Sequence, residues 1–315
     1  MKNFFLAPAI IVLIFVGCAN EIPTPGITVM SIDWLPVATS ASLPDGIDVW
    51  EGTDENLPLK AWMAKIDLKA SNLDIEVLSS RDADGRQSAS ELAAESGACL
   101  LVNGGYFREE EGVYEHVGLL LADGEFVQFA TPGIYKEDLR YDVHRAAIGF
   151  TRDNEPEIGW VSSIKDSVFV WDDPIANAPG VLGEWDYSEG NHLWDVTDAI
   201  SGGPALMKDG RNRITIDEEI FFGTTIPDVH PRTAVGIGKD GELLLLVVDG
   251  RQRISRGVSL TELAGIMKSF GAVDALNLDG GGSSTFILED ELLNRPTGGT
   301  FQREIVSALA VHCDN

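Results

Sequence analysis

Short strand-like segments separated by turn residues recur along this chain, and they restrict its fold more than any other feature. Apolar or alternating runs occupy residues 61–68, 73–79, 147–150 and 167–171, a pattern typical of β-strands. Asp-Gly pairs at 123–124, 209–210 and 240–241 favour tight turns between antiparallel strands. The sequence therefore predicts a mixed, largely antiparallel β-sheet core.

Two helices stand out against this background. Each begins with a Ser-x-x-Glu capping box, at residues 88–91 and 259–262, and a glycine, Gly97 or Gly271, follows the apolar stretch. A serine that caps the first turn and a glycine just past the last turn delimit a helix at both ends. Together with the sheet core, these two capped helices predict the α+β class.

The segments after the two helices are also alike. The first helix leads through an apolar strand into Asn103-Gly104-Gly105, and the second leads into Asp279-Gly280-Gly281-Gly282. One interpretation is an internal duplication of a helix–strand–glycine-loop unit. The other is two unrelated units that share common capping chemistry. If the two strands are neighbours in one sheet, we expect the two loops to meet at one place.

The N-terminus predicts export. An apolar run over residues 4–17, interrupted by Pro8, follows Lys2 and precedes Cys18. The run is shorter than the roughly 20 residues of a spanning helix and matches a signal peptide over residues 1–17. The segment around Cys18 resembles a bacterial lipobox, in which the cysteine is lipidated. The alternative is an ordinary signal peptide with a cysteine there by coincidence.

The rest of the chain predicts one domain behind a short tether. Residues 18–27 form the predicted tether, and residues 28–315 form the predicted domain, because no long Ser/Pro/Gly linker interrupts them. Lipidation at Cys18 would place that domain in the cell envelope, on a periplasmic or cell-surface membrane face.

The formal net charge of −27 limits the partners of the chain. Nucleic acids and anionic lipid surfaces require a basic footprint, so the composition excludes binding to them. An acidic surface also repels anionic substrates. A phosphate site would therefore need locally clustered arginine, histidine and backbone N–H groups.

The two cysteines beyond Cys18 offer little chemistry by themselves. Cys99 and Cys313 each lie in an apolar run, and neither shows the spacing of a zinc site. Export would permit a disulfide bond, but the apolar surroundings favour two separate buried thiols.

Polar segments adjoin several apolar strands. The sharpest is Asp279-Gly280-Gly281-Gly282-Ser283-Ser284, where the glycines permit positive φ and leave room for backbone N–H groups to face an anion. Four further segments share this placement. They are Asn103-Gly104-Gly105, Ser201-Gly202-Gly203-Pro204, His230-Pro231-Arg232 and Asp249-Gly250-Arg251. Each alone has an ordinary structural interpretation, whereas their common placement favours one functional site.

Six motifs in a fixed order resemble the phosphodiester glycosidase family over residues 61–311. They are Asn-Gly-Gly-Tyr-Phe at 103–107, Ile-Ser-Gly-Gly-Pro-Ala-Leu at 200–206, His-Pro-Arg-Thr-Ala-Val-Gly at 230–236, Val-Asp-Gly-Arg at 248–251, Ser-Leu-x-Glu-Leu-Ala at 259–264 and Asn-Leu-Asp-Gly-Gly-Gly-Ser-Ser-Thr at 277–285. Arg303 lies in a variant of a C-terminal Arg-x-Val pattern of the family.

The resemblance implies hydrolysis of sugar-1-phosphodiesters at the C1–O bond, in envelope or foreign glycans. Phosphate is a good leaving group, so the reaction needs an anion clamp and a carboxylate that stabilises an oxocarbenium-like centre or activates water. The predicted catalytic residues are Asp279, Asp249 and His230. The predicted substrate-binding residues are Asn103, Gly104, Gly105, Ser201, Gly202, Arg232, Arg251, Gly280, Gly281, Gly282, Ser283, Ser284 and Arg303.

The predicted partner is a phosphate-bearing carbohydrate, and the reaction requires no organic cofactor. It also requires no metal ion, although Asp279 and Asp249 would be suitable ligands for one. Two other functions fit the same residues. One is a non-catalytic glycan-binding surface lipoprotein, and the other is a phosphodiesterase that cleaves the P–O bond.

The predicted anchor can be tested at Cys18. Cys18→Ala should release the protein from the membrane fraction or stop its maturation, because acyl chains contribute about 0.8 kcal/mol per buried CH₂. Fractionation and mass spectrometry of the mature N-terminus measure this. Unchanged membrane attachment with normal maturation would contradict lipidation.

Overall fold

Antiparallel strand pairing organises the chain in the computed structural model, which describes residues 30–38, 43–54, 56–296, 298–299 and 301–313. The predicted signal peptide, Cys18 and the tether lie outside the described residues. In the described part of the chain, no helix is long and apolar enough to cross a membrane.

The strands are short, as the frequent turn residues predict. In the first half they are β1 (Asp33–Pro36), β2 (Ile47–Asp54), β3 (Leu59–Ile66), β4 (Leu73–Ser79), β5 (Leu100–Asn103), β6 (Phe107–Glu110), β7 (Val113–His116), β8 (Leu120–Ala122), β9 (Glu125–Gln128), β10 (Gly133–Lys136), β11 (Leu139–Asp142), β12 (Arg145–Phe150) and β13 (Pro156–Ile164). In the second half they are β14 (Ser167–Trp171), β15 (Asn191–Leu193), β16 (Asp198–Ser201), β17 (Ala205–Lys208), β18 (Arg211–Asn212), β19 (Arg232–Gly238), β20 (Leu243–Val248), β21 (Ala272–Asn277), β22 (Phe286–Leu288), β23 (Glu291–Leu292) and β24 (Ser307–Cys313).

Three larger sheets and two small hairpins contain these strands. The strand orders are β1-β2-β3-β20-β19-β21-β17-β18, β15-β14-β13-β12-β16-β8-β9 and β23-β22-β5-β24-β4, and the hairpins are β10-β11 and β6-β7. Every described pair is antiparallel. The predicted antiparallel core is confirmed, whereas the expected mixed component is not found among the described strands.

One hydrophobic cluster joins the three larger sheets. Ile66 of the first sheet, Trp160 of the second and Leu100 of the third belong to it and are almost fully buried. Burying such side chains stabilises the folded chain by about 1.5–3 kcal/mol each. The core therefore holds the ends of the three sheets close together, where the polar segments lie.

Two helices, α1 (Ala89–Ser96) and α2 (Leu260–Ser269), cover the sheets, and both predicted capping boxes are confirmed. In the first, Ser88 N donates to the Glu91 carboxylate at 3.0 Å, and Glu91 N donates to Ser88 Oγ at 3.3 Å. Gly97 adopts the left-handed conformation that ends α1, with φ of 74°. Helices this short are marginal alone, so the caps and the packing on the sheets determine their stability.

Most local predictions from the sequence are confirmed. The strands predicted at 73–79 and 167–171 have those bounds, and the ones at 61–68 and 147–150 are shifted or extended by a few residues. All three Asp-Gly pairs join hairpin strands. The segment between β14 and β16 is largely irregular, but it contains β15 and the buried Trp194.

The two strands that precede the glycine loops are not neighbours. β5 lies in the five-stranded sheet and β21 in the eight-stranded sheet, so the condition of one shared sheet is not met. Their loops nevertheless meet, because the two sheets face each other at the ends of these strands. The internal duplication of a helix–strand–loop unit is not confirmed.

The expectation of two separate buried thiols is also wrong. Cys99 and Cys313 form a disulfide bond that links positions 214 residues apart, with Cα atoms separated by 5.9 Å. The reason is strand pairing, because β24 runs antiparallel to β5 with Val311 opposite Leu100. That register brings the C-terminal end of the last strand to the residue that precedes β5.

Candidate active site

The side chain of Asn103 joins the two glycine loops. Its Nδ2 donates to the backbone oxygens of Asp279 at 2.7 Å and Gly104 at 3.1 Å. Its Oδ1 accepts from the backbone N–H of Thr285 at 3.1 Å and from the hydroxyl of Thr233 at 2.5 Å. The side chain is 0% exposed. Asn103 therefore positions the site, and none of its polar atoms is left to orient a sugar hydroxyl.

Asp279 follows β21 and carries the carboxyl group nearest to the centre of the site. Burial raises its pKa to about 6, while the Ser283 side chain, the charge of Arg303 and the Gly280 N–H act in the opposite direction. Gly280 N donates to Asp279 Oδ1 at 2.8 Å. A carboxyl group of this kind changes its charge near neutral pH, as general acids and bases often do.

The glycine loop is compact rather than an open row of donors. Gly281 N donates to the backbone oxygen of Pro231 at 3.0 Å, and Ser283 N donates to Gly280 O at 3.2 Å. With the Gly280 amide bound to Asp279, three of the amides predicted to clamp an anion are used within the protein. The prediction of successive free N–H groups is therefore wrong. Gly282 lies partly exposed beside them.

Glycine is required in this loop for two reasons. A Cβ on Gly280 would lie 2.6 Å from Pro231 O, and Gly281 has φ of 63°. Ser284 follows in the loop, and its hydroxyl is buried with no hydrogen-bond partner in the described part of the chain.

Arg232 is held in place by backbone dipoles. Nε donates to Val258 O at 3.1 Å, and Nη2 donates to Ile226 O at 2.6 Å and Asp228 O at 2.5 Å. The side chain is 2% exposed, and burial lowers its pKa to about 10. No ion pair of Arg232 is found among the described residues, so its charge remains available to a bound anion.

His230 positions a second arginine. Its Nε2 donates to Thr225 O at 2.7 Å, which leaves Nδ1 to accept from Arg251 Nη2 at 3.1 Å. Arg251 is exposed, and its Nη1 would lie 3.4 Å from a Cβ on Gly281. Both imidazole nitrogens are engaged, so this geometry suits a positioning role for His230 better than acid–base chemistry.

Arg303 lies at the edge of the site. Its guanidinium carbon is 4.8 Å from the centre of the Phe107 ring, a cation–π contact that orients the group. The same charge lowers the pKa of Asp279. The charge of Arg303 therefore acts on the Asp279 carboxyl group, although no ion pair joins the two in the described part of the chain.

Asp249 lies behind the glycine loop. Its carboxylate accepts from Asn294 Nδ2 at 2.9 Å and from the Arg295 N–H at 3.0 Å, and it is 1% exposed. Asn294 in turn donates to Ser284 O at 2.8 Å. Burial raises the pKa of Asp249. Asp249 is therefore a buried residue that stabilises the glycine loop through Asn294.

The remaining predicted residues allow the sheets to approach closely. Ser201 is buried and its Oγ accepts from Leu119 N at 3.0 Å. A Cβ added to any of three glycines would clash with a neighbouring strand or loop. The distance from the added Cβ would be 2.4 Å for Gly104 to Ser307 Oγ, 2.1 Å for Gly105 to Ser201 O and 2.5 Å for Gly202 to Asn277 O. Direct substrate contact is therefore not their evident role.

Tyr106 is a central residue that we did not predict, although it lies within the motif at 103–107. Its hydroxyl donates to Gly203 O at 2.9 Å and accepts from Asn277 Nδ2 at 2.8 Å. Burial and the charge of Asp279 raise its pKa, whereas Arg232 and Arg145 lower it. Tyr106 therefore lies among the charges of the site. Its place directly after a glycine loop is the signal that could have indicated this.

The site combines a carboxyl group of raised pKa with cationic side chains, a combination that is frequent at functional sites. A model of the phosphodiester glycosidase family matches residues 96–312. The chain belongs to this family.

Two mammalian relatives agree with this assignment. The chain is 30% identical over 213 residues to the N-acetylglucosamine-1-phosphodiester alpha-N-acetylglucosaminidase of Bos taurus, a match that covers 67% of this chain and 35% of that protein. The Homo sapiens enzyme of the same name is 28% identical over 214 residues, 67% of this chain and 36% of that protein. The chain spans about a third of the length of these relatives, which are glycosidases by name.

Solved structures show the same fold. The catalytic domain of the zebrafish enzyme of that name, auto-inhibited by its pro-peptide, is 23% identical with a TM-score of 0.57, covering 90% of this chain and 89% of that one. A hypothetical protein from Synechocystis is 16% identical with a TM-score of 0.58, and the match covers 90% of this chain and 68% of that one. Both support the antiparallel architecture.

The role of Asn103 can be tested by truncation. Asn103→Ala should lower the free energy of unfolding by roughly 2–4 kcal/mol, because the Thr285 N–H, the Thr233 hydroxyl and the Asp279 carbonyl group lose this partner. Urea unfolding measures the change. Asn212→Ala, at the exposed end of β18, is the control and should stay within about 0.5 kcal/mol of the unmodified protein. If Asn103→Ala is as stable as Asn212→Ala, Asn103 does not hold the two glycine loops together.

Proposed function

We propose that the protein hydrolyses the glycosidic C1–O bond of sugar-1-phosphodiesters. The single observation that carries this proposal is the placement of the Asp279 carboxyl group, with its raised pKa, beside Arg303 and the loop that contacts Arg251. In a chain with a net charge of −27, such a local group of cations is suited to an anionic substrate.

The reaction suits these residues. Water adds to C1 while the C1–O bond breaks, and the oxygen leaves with the phosphate monoester. Because phosphate is a good leaving group, the enzyme needs little general-acid assistance. Arg232 and Arg251 would hold the phosphate charge. Asp279 would stabilise the cationic sugar centre or accept a proton from water.

Geometry favours Asp279 over Asp249 as the working carboxylate. Asp249 is buried and donors from Asn294 and Arg295 occupy its oxygens. Asp279 is only partly buried and lies beside the charged groups. A carboxylate that already serves as a structural acceptor is poorly placed to meet a substrate.

The substrate class rests on the names of the relatives. The bovine relative is named for N-acetylglucosamine-1-phosphodiester, so a sugar-1-phosphodiester is the first class to examine. We infer envelope or foreign glycans as its source from residues 1–17 and Cys18, which predict a lipid-anchored envelope protein. The proposed reaction uses no organic cofactor. Among the described residues, no group of three or more histidine, cysteine, aspartate or glutamate side chains could hold a metal ion.

Labelled water tests the bond that is cleaved. The purified protein and the methyl phosphodiester of N-acetylglucosamine-1-phosphate are incubated in ¹⁸O-water, and mass spectrometry locates the label. We expect the label in the sugar, because water attacks C1. Label in the phosphate would identify a phosphodiesterase. Binding without turnover across a panel of sugars would identify a glycan-binding protein. Asp279→Asn controls for contaminating activity.

The acidic limb of the pH profile reports on Asp279. If the ionised carboxylate is required, kcat/KM should fall about tenfold per pH unit below pH 6, where Asp279 becomes protonated. Arg303→Gln should move the midpoint to higher pH, because Arg303 lowers the pKa of Asp279. The exposed Arg152 provides the control variant Arg152→Gln, which should leave it unchanged. Activity that falls above pH 6 would instead make Asp279 a general acid.

A further inference from the structure

Two hairpins in different sheets repeat one pattern. The strand β12 begins Arg-Ala-Ala-Ile-Gly at Arg145, and β19 begins Arg-Thr-Ala-Val-Gly at Arg232. Each arginine is paired with a valine near one end of the next strand, Val161 or Val248. The repeat is distinct from a helix–strand–glycine-loop unit, because it consists of the β12–β13 and β19–β20 hairpins.

The strand on the other side of each hairpin also corresponds. Ala147 lies opposite Ser201 of β16, and Gly149 lies opposite Ala199. In the other sheet, the third and fifth residues of β19 lie opposite Asn277 and Ala275 of β21. The registers agree, and both β16 and β21 lead into glycine loops. Arg145 and Arg232 therefore occupy equivalent positions in the two sheets.

Both arginines belong to the surroundings of Tyr106. Each lowers the pKa of its hydroxyl through its positive charge. The Phe221 ring lies between Arg145 and Tyr106, because its centre is 3.9 Å from the guanidinium carbon of Arg145 and 5.7 Å from the centre of the Tyr106 ring. The repeat thus delivers one arginine from each sheet to the same site.

The two arginines differ in what they bind. Arg232 donates to three backbone oxygens. Within the described residues, Arg145 makes no side-chain hydrogen bond or ion pair, and its Nε is buried without a partner. A buried N–H without an acceptor is unfavourable, so the Nε of Arg145 lacks a stabilising contact that the donors of Arg232 have.

The buried carboxylate of Glu219 acts on Arg145 through its charge, which opposes the lowering of the guanidinium pKa by burial, but no hydrogen bond joins the two side chains in the described part of the chain. Glu219 is fully buried, and four donors occupy its two oxygens. They are the N–H groups of Ala146 and Ala205, the indole N–H of Trp160 and the hydroxyl of Thr215. The Arg145 guanidinium group is therefore oriented by Phe221 and left available for a ligand.

We propose that Arg145 is an anion-binding residue of the active site that holds the phosphate group of the substrate together with Arg232. This inference deepens the proposed function and rests on it for the identity of the substrate. The planar guanidinium group presents paired N–H donors that match two phosphate oxygens. A bound phosphate would also supply the partner that the buried Nε lacks.

The test compares three variants of the full chain, Arg145→Met, Arg145→Lys and Arg213→Met. Arg213 is the matched control, because it also lies over an aromatic ring, 5.4 Å from the centre of Trp160, but is paired with Asp173 at 2.9 Å. Calorimetric titration with inorganic phosphate measures anion binding. Rates with the sugar-1-phosphodiester and with a neutral aryl glycoside of the same sugar measure turnover.

Arg145→Met should weaken phosphate binding about ten- to a hundredfold and lower kcat/KM for the phosphodiester by a similar factor. Its rate with the aryl glycoside should fall far less, and its melting temperature should stay close to that of the unmodified protein, because removal of an unsatisfied buried N–H offsets the lost attraction to Glu219. Arg145→Lys should restore part of the phosphate affinity. Arg213→Met should bind phosphate as the unmodified protein does.

Unchanged phosphate affinity in Arg145→Met would overturn the inference. So would a melting temperature lower than that of Arg213→Met, since Arg145 would then be a structural charge. If the unmodified protein cleaves no sugar-1-phosphodiester, the proposed function fails, yet the phosphate titration still decides the role of Arg145.

Discussion

The buried amide of Asn103 is the interaction on which the site depends. It is the point where the five-stranded and eight-stranded sheets meet, and its four hydrogen bonds fix the backbone around Asp279 and Thr285. A buried amide is stabilising only when all its donors and acceptors are satisfied. The close approach that satisfies it requires Gly104 and Gly105, where a Cβ would clash with the neighbouring strands. The glycine loop, the position of the Asp279 carboxylate and the packing of the two sheets therefore depend on one another.

The arginines of the site differ from other arginines of the chain in the groups that hold them. Several arginines of this acidic chain form ion pairs with carboxylates, as Arg256 does with Glu262. At the site, backbone oxygens or aromatic rings hold Arg232 and Arg303 instead. Dipoles and rings orient a cation without cancelling its charge. The charge that acts on Asp279 is consequently the positive charge of Arg303, although the net charge of the chain is −27.

Features set by neighbouring residues could be predicted from the sequence, whereas features set by distant contacts could not. Capping boxes, Asp-Gly turns and strand alternation depend on a few adjacent residues, and the structure confirms them. The pairing of Cys99 with Cys313 depends on a strand register formed across most of the chain. Likewise, Asp249 and Asp279 have similar local sequences, and the distant contacts of Asp249 with Asn294 and Arg295 distinguish their roles.

The paired hairpins show how one fold can produce two different arginines. The same strand pattern and register place Arg145 and Arg232 at equivalent points. Around Arg232, the segment at 226–228 supplies carbonyl groups, so that the side chain is fixed and 2% exposed. Around Arg145, Phe221 supplies a ring and no acceptor. Hydrogen bonds satisfied within the protein favour a fixed geometry, and unsatisfied ones favour a ligand. Arg232 therefore offers its charge from a fixed geometry, whereas Arg145 also keeps an unsatisfied N–H for what the site binds.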